Sequence, residues 1–376
     1  MQKKLHLISF DIPYPPIYGG VIDVFYKIKA LHNLGIKIIL HCFQHGKPDQ
    51  PELENYCSEV HYYQRNSFFS SIISTDFPFI VKSRGNEELI NSLKEDMHPI
   101  LFDGLHTTYI LNLKDFKNRK LYLRAHNVEH NFYKGLEKSE SNIFKRNFFK
   151  QESRKLKKYE AILHKVNGVF SISPKEQAYF QKKYGEKCVY IPAFHDAEIR
   201  TRYRTKGKFI LYHGNIVVSE NVKAALFLIE VYKNSNYELI IASSYFNDDV
   251  TKEILKYDNI SFHSLVKETD LNRLFENAHI NVLPTFQDTG IKLKLLNTLY
   301  QGKFVIANDF MIDNTGLESL CEKANTKAEF LQKTEELFKQ EFNKDILVQR
   351  KKILKNFSPK TGAEKIVEII FGDAMP

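Results

Sequence analysis

The chain has 376 residues and only four cysteines. Cys42, Cys57, Cys188 and Cys321 are scattered, no two form a CxxC pair, and none has a histidine at metal-ligand spacing. This argues against a disulfide scaffold and a zinc site, so the four read as reduced, buried thiols of a cytoplasmic protein. No apolar run reaches the roughly 18 residues of a membrane-spanning helix. The opening MQKKLHLISFDIPYPP sets two lysines before a short apolar stretch, as a signal peptide does. That stretch is brief, contains Asp11 and ends in prolines without a small-residue cleavage site, so it reads as a buried first strand. No strand is followed by GxGxxG with a downstream acid, which argues against a dinucleotide dehydrogenase. Zinc-finger, RNP and KH signatures are missing, and nucleic acid is not expected as a partner.

What is present describes a globular protein: 43% hydrophobic and 26% charged residues. The length is too great for one ordinary core and suits two α/β domains. The net charge of +9 favours phosphorylated ligands, anionic lipid or nucleic acid without choosing among them.

Short apolar runs alternate with longer mixed segments. Leu5–Phe10 reads as a strand, Val21–Leu34 has helical spacing and is stopped by Gly35, and Ile36–Phe43 is a near-continuous apolar strand of the parallel-sheet kind. Val60–Tyr63, Ile100–Asp103, Lys120–Arg124 and Gly168–Ile172 are further strands, and a long helix is expected from about Asn142 to Val166. Ala193–Lys208 is polar and basic and suits a linker. The pattern then restarts with strand Phe209–His213 and helix Asn221–Tyr232. Strands follow at Tyr237–Ala242, Ile260–His263, Ile280–Pro284 and Phe304–Ala307, with helices near Asp248–Lys256, Glu268–Asn277 and Gly290–Gln301. The expectation is two doubly wound, Rossmann-like domains, residues 1–195 and 196–376, facing a cleft at the carboxyl ends of their strands.

The most informative stretch is NVLPTFQDTGIKLKLLNTLYQGKFVIAND, Asn281–Asp309. A strand ends at Pro284, a polar loop follows, and Gly290 is expected to open a helix capped by Thr289 or Asp288. Backbone N–H groups at such a helix start make an anion site. Gly290, Lys294 and Asn297 would share a face, while Leu295, Leu296 and Leu299 bury another. A glycine, a cation and an amide beside an open N-terminus suit a diphosphate and a ribose. The same residues also fit a capped amphipathic helix with solvated lysines.

This stretch resembles the donor-binding signature of the family 4-like, GT-B glycosyltransferases (glycosyl transferases group 1). Gly302-Lys303-Phe304-Val305-Ile306 corresponds to the family's closing Gly-Lys/Arg-x-Val-Ile strand. The family's two glutamates, eight positions apart, correspond to Thr289 and Asn297, so neither carboxylate is present. Asn297 can still bond a ribose hydroxyl. GIKLKLLN looks like a variant with basic residues in the middle, Lys292 and Lys294. FILYHGNIVVSENVKAALFLI resembles the family's first strand and turn of the donor domain. Gly214 matches the glycine, whereas Asn215 and Glu220 stand where the family often has the arginine and lysine that hold the diphosphate. Charge compensation by Lys292 or Lys294 follows as an expectation.

DIPYPPIYGGVIDVFYKIKALHNLGIKI resembles the family's acceptor-side Gly-Gly loop and first helix. Gly19 and Gly20 would allow close backbone approach and unusual dihedrals; alone, they are equally a flexible turn. FDGLHTTYIL and YLRAHNVEHNFY place His106 and His126 after strands. The resemblance implies that these two histidines line the donor–acceptor cleft as candidate catalytic groups, with Asn127 and Glu129 as further acceptor-side candidates. It also implies a C-terminal helix, about 359–371, packing back on the first domain.

The implied activity is transfer of a sugar from a nucleotide-sugar donor to a glycan or lipid-linked acceptor, with retention, in bacterial surface-glycan synthesis. No metal and no separate cofactor are expected, and the absence of a DxD motif agrees with this. The segment NIFKRNFFKQESRKLKKYEAILHKV mixes aromatic and basic residues. It suits either an anionic membrane surface, making the protein peripheral on the inner face of the cytoplasmic membrane, or ordinary core packing with a charged outer face. Alternatives on the same fold are a nucleotide-sugar epimerase and a catalytically inactive nucleotide- or glycan-binding protein.

Overall fold

The computed structural model describes residues 2–44, 46–66, 77–140, 142–201, 206–286 and 292–372. The chain divides into two compact units: Met1–Asp196 with Asn356–Pro376, and Ala197–Asp288 with Lys292–Lys355.

The first unit holds a seven-stranded parallel sheet. Its strands are β1 (Lys4–Ser9), β2 (Lys37–Gln44), β3 (Glu59–Gln64), β4 (Ile100–Asp103), β5 (Leu121–Ala125), β6 (Gly168–Ser171) and β7 (Cys188–Tyr190), in the order β3-β2-β1-β4-β5-β6-β7. Every pairing is parallel. Both faces are covered, so the strands read as apolar runs rather than alternating ones. Leu5 and Leu7 of β1 face one apolar cluster and Ile8 faces the other. Helix Gly19–Asn33 buries Val24, Ile28 and Leu31 in the first of these. The C-terminal helix Pro359–Phe371 adds Ala363, Ile366, Val367 and Ile370 to the same cluster. Gly362 lets the helix approach closely there, since a Cβ would come within 3.1 Å of the Phe194 ring.

The second unit repeats the plan with six strands: β8 (Phe209–His213), β9 (Leu239–Ser243), β10 (Ile260–Ser264), β11 (Ala278–Leu283), β12 (Phe304–Ala307) and β13 (Glu322–Lys323), in the order β10-β9-β8-β11-β12-β13. Helix Ser219–Tyr232 packs Ala225, Leu228 and Ile229 against Ile210, Ile241 and Ile280.

Three expectations need correction. The helix expected to reach Val166 ends at Tyr159, and Glu160–Lys165 continues as a 3-10 turn. There Glu160 is buried and accepts hydrogen bonds from Tyr179 (2.7 Å) and Lys183 (2.5 Å), a tertiary capture no local pattern announces. The polar linker is partly core: Ala193, Phe194 and His195 are buried, because the Phe194 amide donates to Asp23 and the His195 ring bonds the Phe357 carbonyl. The helix expected from Gly290 begins at Leu293.

Candidate functional site

In each sheet the strand order reverses direction beside the first strand, between β1 and β4 and between β8 and β11. Ligands of doubly wound sheets bind outside the carboxyl ends of the strands at such a reversal. Asp103, His106 and His126 lie at that place in the first unit, as do Gly214 and Thr285 in the second.

At the first reversal Asp23, Lys27, Asp103, Arg124 and His126 form one buried network. Arg124 grips Asp23 with two bonds, Nη2 to Oδ1 at 2.7 Å and Nε to Oδ2 at 3.0 Å, and also donates to the carbonyls of Ile191 and Pro192. Lys27 Nζ lies 2.6 Å from Asp103 Oδ1 and 3.4 Å from Asp23 Oδ2. The two carboxylates and two cations cancel, which is what makes full burial of all four tolerable. Burial alone would raise the Asp23 carboxyl, but Arg124 and Lys27 outweigh it and hold that group well below its ordinary value.

His126 joins the network with Nε2 3.1 Å from Asp103 Oδ1. A carboxylate only accepts, so Nε2 carries the hydrogen, and in the neutral imidazole Nδ1 keeps a lone pair. His126 Nδ1 and Asp103 Oδ2 are both buried without a hydrogen-bond partner among the described residues. Two orphaned acceptors side by side suit a ligand hydroxyl. Asp23, Asp103 and His126 also offer ligand atoms within 4.8 Å of one another. They do not fit a divalent ion, because Lys27 and Arg124 already neutralise both carboxylates.

His106 sits in the 3-10 turn Leu105–Asn112, its ring against Phe10, which also meets His126 edge-on. Gly104 has φ +76°, and a Cβ there would lie 2.8 Å from His106 Nδ1, so glycine is needed for both conformation and space. Glu129 opens helix Glu129–Ser139, is buried, and places Oε1 4.0 Å from His106 Nδ1. Burial raises its carboxyl to about 8, against lowering contributions from Asn127, which bonds it, and Arg84. Burial also pushes the His106 imidazole well below its usual range, helped by Arg84, His126 and Arg65.

Gly19 and Gly20 open the Gly19–Asn33 helix, and neither has a positive φ. The expected unusual dihedrals are therefore absent. Close approach does hold at Gly20, where a Cβ would come within 2.7 Å of the Phe10 ring.

In the second unit Lys294 is the focal cation. It lies on helix Leu293–Gln301, its Nζ is 2.9 Å from Asn221 Oδ1 and 5.0 Å from the Tyr212 ring centre, and a Cβ on Gly214 would sit 2.7 Å from it. Burial lowers its ammonium to about 8, with Glu220 raising it and Lys292 lowering it further. Behind it, His213 bonds Thr298 Oγ1 at 3.0 Å and is held neutral by burial and by Lys294, down to about 3. Glu220 accepts from Thr285 Oγ1 at 2.9 Å and from the Phe286 amide, fastening the segment after β11.

The other second-unit candidates are less central. Asn215 is exposed and shapes its turn: Oδ1 accepts from the Val217 amide at 3.0 Å and its carbonyl accepts from Asn221 at 2.8 Å. Lys292 occupies the helix N-cap position without a capping side-chain bond, in place of the expected Thr289 or Asp288. Asn297 is half-buried on the same helix, one turn from Lys294. Thr289 and Gly290 lie outside the described residues, so the shared face expected for Gly290, Lys294 and Asn297 reduces to the last two.

Sequence reading missed Asp23, Lys27, Arg124 and Arg84. One signal was available: Asp23 and Lys27 interrupt the apolar face of the first helix at i, i+4 spacing. It also missed a buried chain across β1–β3, where His41 links Tyr63 to His6 (2.9 Å each) and His6 reaches Asp96 at 3.0 Å.

Two successive parallel sheets of this order define the GT-B class of fold. Residues 207–340, within the second unit, match the family model described as glycosyl transferases group 1. The chain is 23% identical over 332 residues to an uncharacterized 44.6 kDa protein in the cps region of Klebsiella pneumoniae, covering 84% of this chain and 85% of that protein. In fold it is similar to the lipopolysaccharide outer core galactosyltransferase WaaB in apo form, with TM-score 0.65, 15% identity, and 98% and 99% of the two chains covered. It is also similar to a mutant of S. aureus TarM in complex with Fondaparinux, alpha-GlcNAc-glycerol and UDP, with TM-score 0.63, 12% identity, and 98% and 100% covered.

Proposed function

We propose that the protein transfers a sugar, with retention and without a metal ion, from a nucleotide-sugar donor to a glycan or lipid-linked acceptor in bacterial surface-polysaccharide or glycoconjugate synthesis. The observation that carries this reading is the Lys294 ammonium packed against Gly214 at the β8/β11 reversal, inside the family-matched segment. The family's usual diphosphate cations are replaced by Asn215 and Glu220, and Lys294 brings a positive charge to the same turn from another helix. Its partial desolvation strengthens its attraction for a diphosphate, whose arrival would in turn hold the proton on. Stabilising the departing diphosphate would supply much of the rate. On the first unit, His126 Nδ1 and Asp103 Oδ2 would accept hydrogen bonds from sugar or acceptor hydroxyls. The capsule-region relative and the UDP-bound structural neighbour are consistent with this substrate class.

The test is a thermal-stability screen against UDP, GDP, ADP, CMP and their sugar conjugates. A ligand at 100 times its Kd adds about 2.7 kcal/mol. A selective shift that disappears in Lys294→Ala supports the donor site; no shift with any of them overturns it.

Membrane attachment would use helix Ile143–Tyr159, where Ile143 and Phe144 are 63% and 83% exposed beside Lys145, Arg146 and Lys150. No helix among the described residues is long and apolar enough to cross a membrane. Flotation with anionic but not neutral liposomes, lost in Phe144→Glu, is the expected result. Failure to float with anionic liposomes would sink the idea.

One observation favours a second reading, a protein that binds nucleotide without turnover. By the resemblance, Glu220 stands where the family often has a lysine, and Thr289 and Asn297 stand where it has glutamates. Tight nucleotide binding with neither hydrolysis nor transfer would select it.

A further inference from the structure

Glu129 Oε1 and His106 Nδ1 are each buried, each without a hydrogen-bond partner among the described residues, and 4.0 Å apart. Buried polar atoms are rarely left unpaired, and these two lie close enough to satisfy each other. A small side-chain rotation joins them. What remains open is which atom holds the hydrogen, because each can donate or accept depending on where one proton resides. Nδ1 is buried while about one-fifth of the His106 side chain is exposed, so the opposite edge of the imidazole is the one a ligand can reach. Phe10 packs on one side of the ring, and the missing side chain of Gly104 leaves room for Nδ1.

We propose that Glu129 and His106 form a proton-relay pair in which Glu129 is a positioning residue that sets the tautomer of His106. This deepens the reading above and rests on it for its catalytic use. With Glu129 protonated, its O–H donates to Nδ1, and His106 presents Nε2–H, a donor. With Glu129 ionised, Nδ1–H donates to the carboxylate, and Nε2 presents a lone pair, a base. In transfer, an acceptor hydroxyl gives its proton to Nε2 as Nδ1–H passes to Glu129. One O–H and one N–H bond break, one N–H and one O–H bond form, and the imidazole ends neutral. The acceptor oxygen bonds to the anomeric carbon while the nucleoside diphosphate leaves with its electron pair. The proton stored on Glu129 then returns to that diphosphate or to water. Throughout, the buried pair carries at most one negative charge and never an uncompensated imidazolium.

The surroundings agree with this order of proton affinities. The charged and titratable groups around the pair are Arg84, Arg65, His126 and Tyr133, with Glu160 across a small cavity and Glu152 near Tyr133. Arg84 and Arg65 disfavour an imidazolium, and Arg84 lowers the carboxyl without cancelling the effect of burial, which leaves it near 8. The relay is therefore poised at slightly alkaline pH, where a general base works well.

The test is long-range 1H–15N correlation NMR of the 15N-histidine-labelled protein from pH 6 to 9.5, with the His106 signals assigned by their loss in His106→Gln. His106 is expected to pass from the Nε2–H to the Nδ1–H form with a midpoint near pH 8. In Glu129→Gln, whose amide donates at every pH, it is expected to stay Nε2–H. A His106 that keeps one tautomer across the range in the unaltered protein, or that becomes an imidazolium near its ordinary value, overturns the pairing. This readout needs no donor or acceptor, so it fails independently of the transferase reading. Where transfer is measured, Glu129→Gln should lower kcat by about 10²–10⁴-fold and abolish its rise toward pH 8, with donor KM unchanged. A kcat that falls with the rise intact would instead mark Glu129 as merely structural.

Discussion

The two reversal points occupy equivalent places in two similar sheets, yet they are furnished in opposite ways. The β1/β4 end is crowded with charge that is buried and already neutralised from within: Asp23 by Arg124, Asp103 by Lys27. The β8/β11 end carries one focal ammonium, Lys294, over a glycine, with Asn221 as a neutral anchor. A self-compensated network is rigid and presents acceptors whose direction it fixes, such as His126 Nδ1. A cation held by a neutral amide retains charge to offer a ligand. The shared topology supplies the location, and the side chains decide whether that location orients hydroxyls or attracts an anion.

The largest effect should come from breaking the compensation. Asp23→Ala strands Arg124 and Lys27 in the interior and should cost about 3–5 kcal/mol in denaturant unfolding. Glu220→Gln, which keeps a hydrogen-bond acceptor for Thr285 at the other reversal, should cost less than about 1.5 kcal/mol. Equal losses would erase the contrast between the two ends.

Next is ligand binding. Lys294→Ala should reduce donor turnover by at least about 100-fold, corresponding to about 2.7 kcal/mol. Gly214→Ala should weaken nucleotide binding by tenfold or more, since its Cβ meets the ammonium at 2.7 Å. Unchanged donor kinetics in both variants would remove Lys294 from the site.

The third contrast is pH dependence within the first unit. Folded Glu129 keeps a proton until about 8, whereas the unfolded carboxyl loses it near 4.5. Its contribution is therefore fully present below 4.5 and lost as pH rises toward 8. Glu129→Gln and the unaltered protein should match near pH 4 and diverge in favour of the variant, by up to about 1.4 kcal/mol per pH unit within that window.

The smallest effect has the opposite sign. Burial pushes the His41 imidazole well below 6.5, and lowers that of His6 as well. Their stabilisation is present above 6.5 and lost as pH falls below it. The melting temperature should drop on acidification from pH 6.5 to 5, and His41→Gln should flatten that drop. An unchanged slope in the variant would show that the histidine chain is not its source.

Legibility differed by kind of feature. The strands Ile100–Asp103, Phe209–His213 and Phe304–Ala307 are found where the pattern places them, because a strand covered on both faces is written as a contiguous apolar run. The helix expected from Gly290 spans Leu293–Gln301, three residues further on. His106 and His126 were legible as residues following strands. Asp23 and Arg124 were not, because their meaning lies in a contact between positions 101 residues apart.

By itself, then, the sequence determined the α/β alternation, the restart near Phe209 and the family resemblance of the second half, all of which live in local periodicity and short motifs. Tertiary structure alone decided which charges cancel, which nitrogen of His126 is left to accept, that Glu129 faces His106, and that Lys294 lies over Gly214. Those are distances between separate segments, and burial gives them their energy. A polar group taken from water must find its partner across the fold, and only the folded chain shows which partner it found.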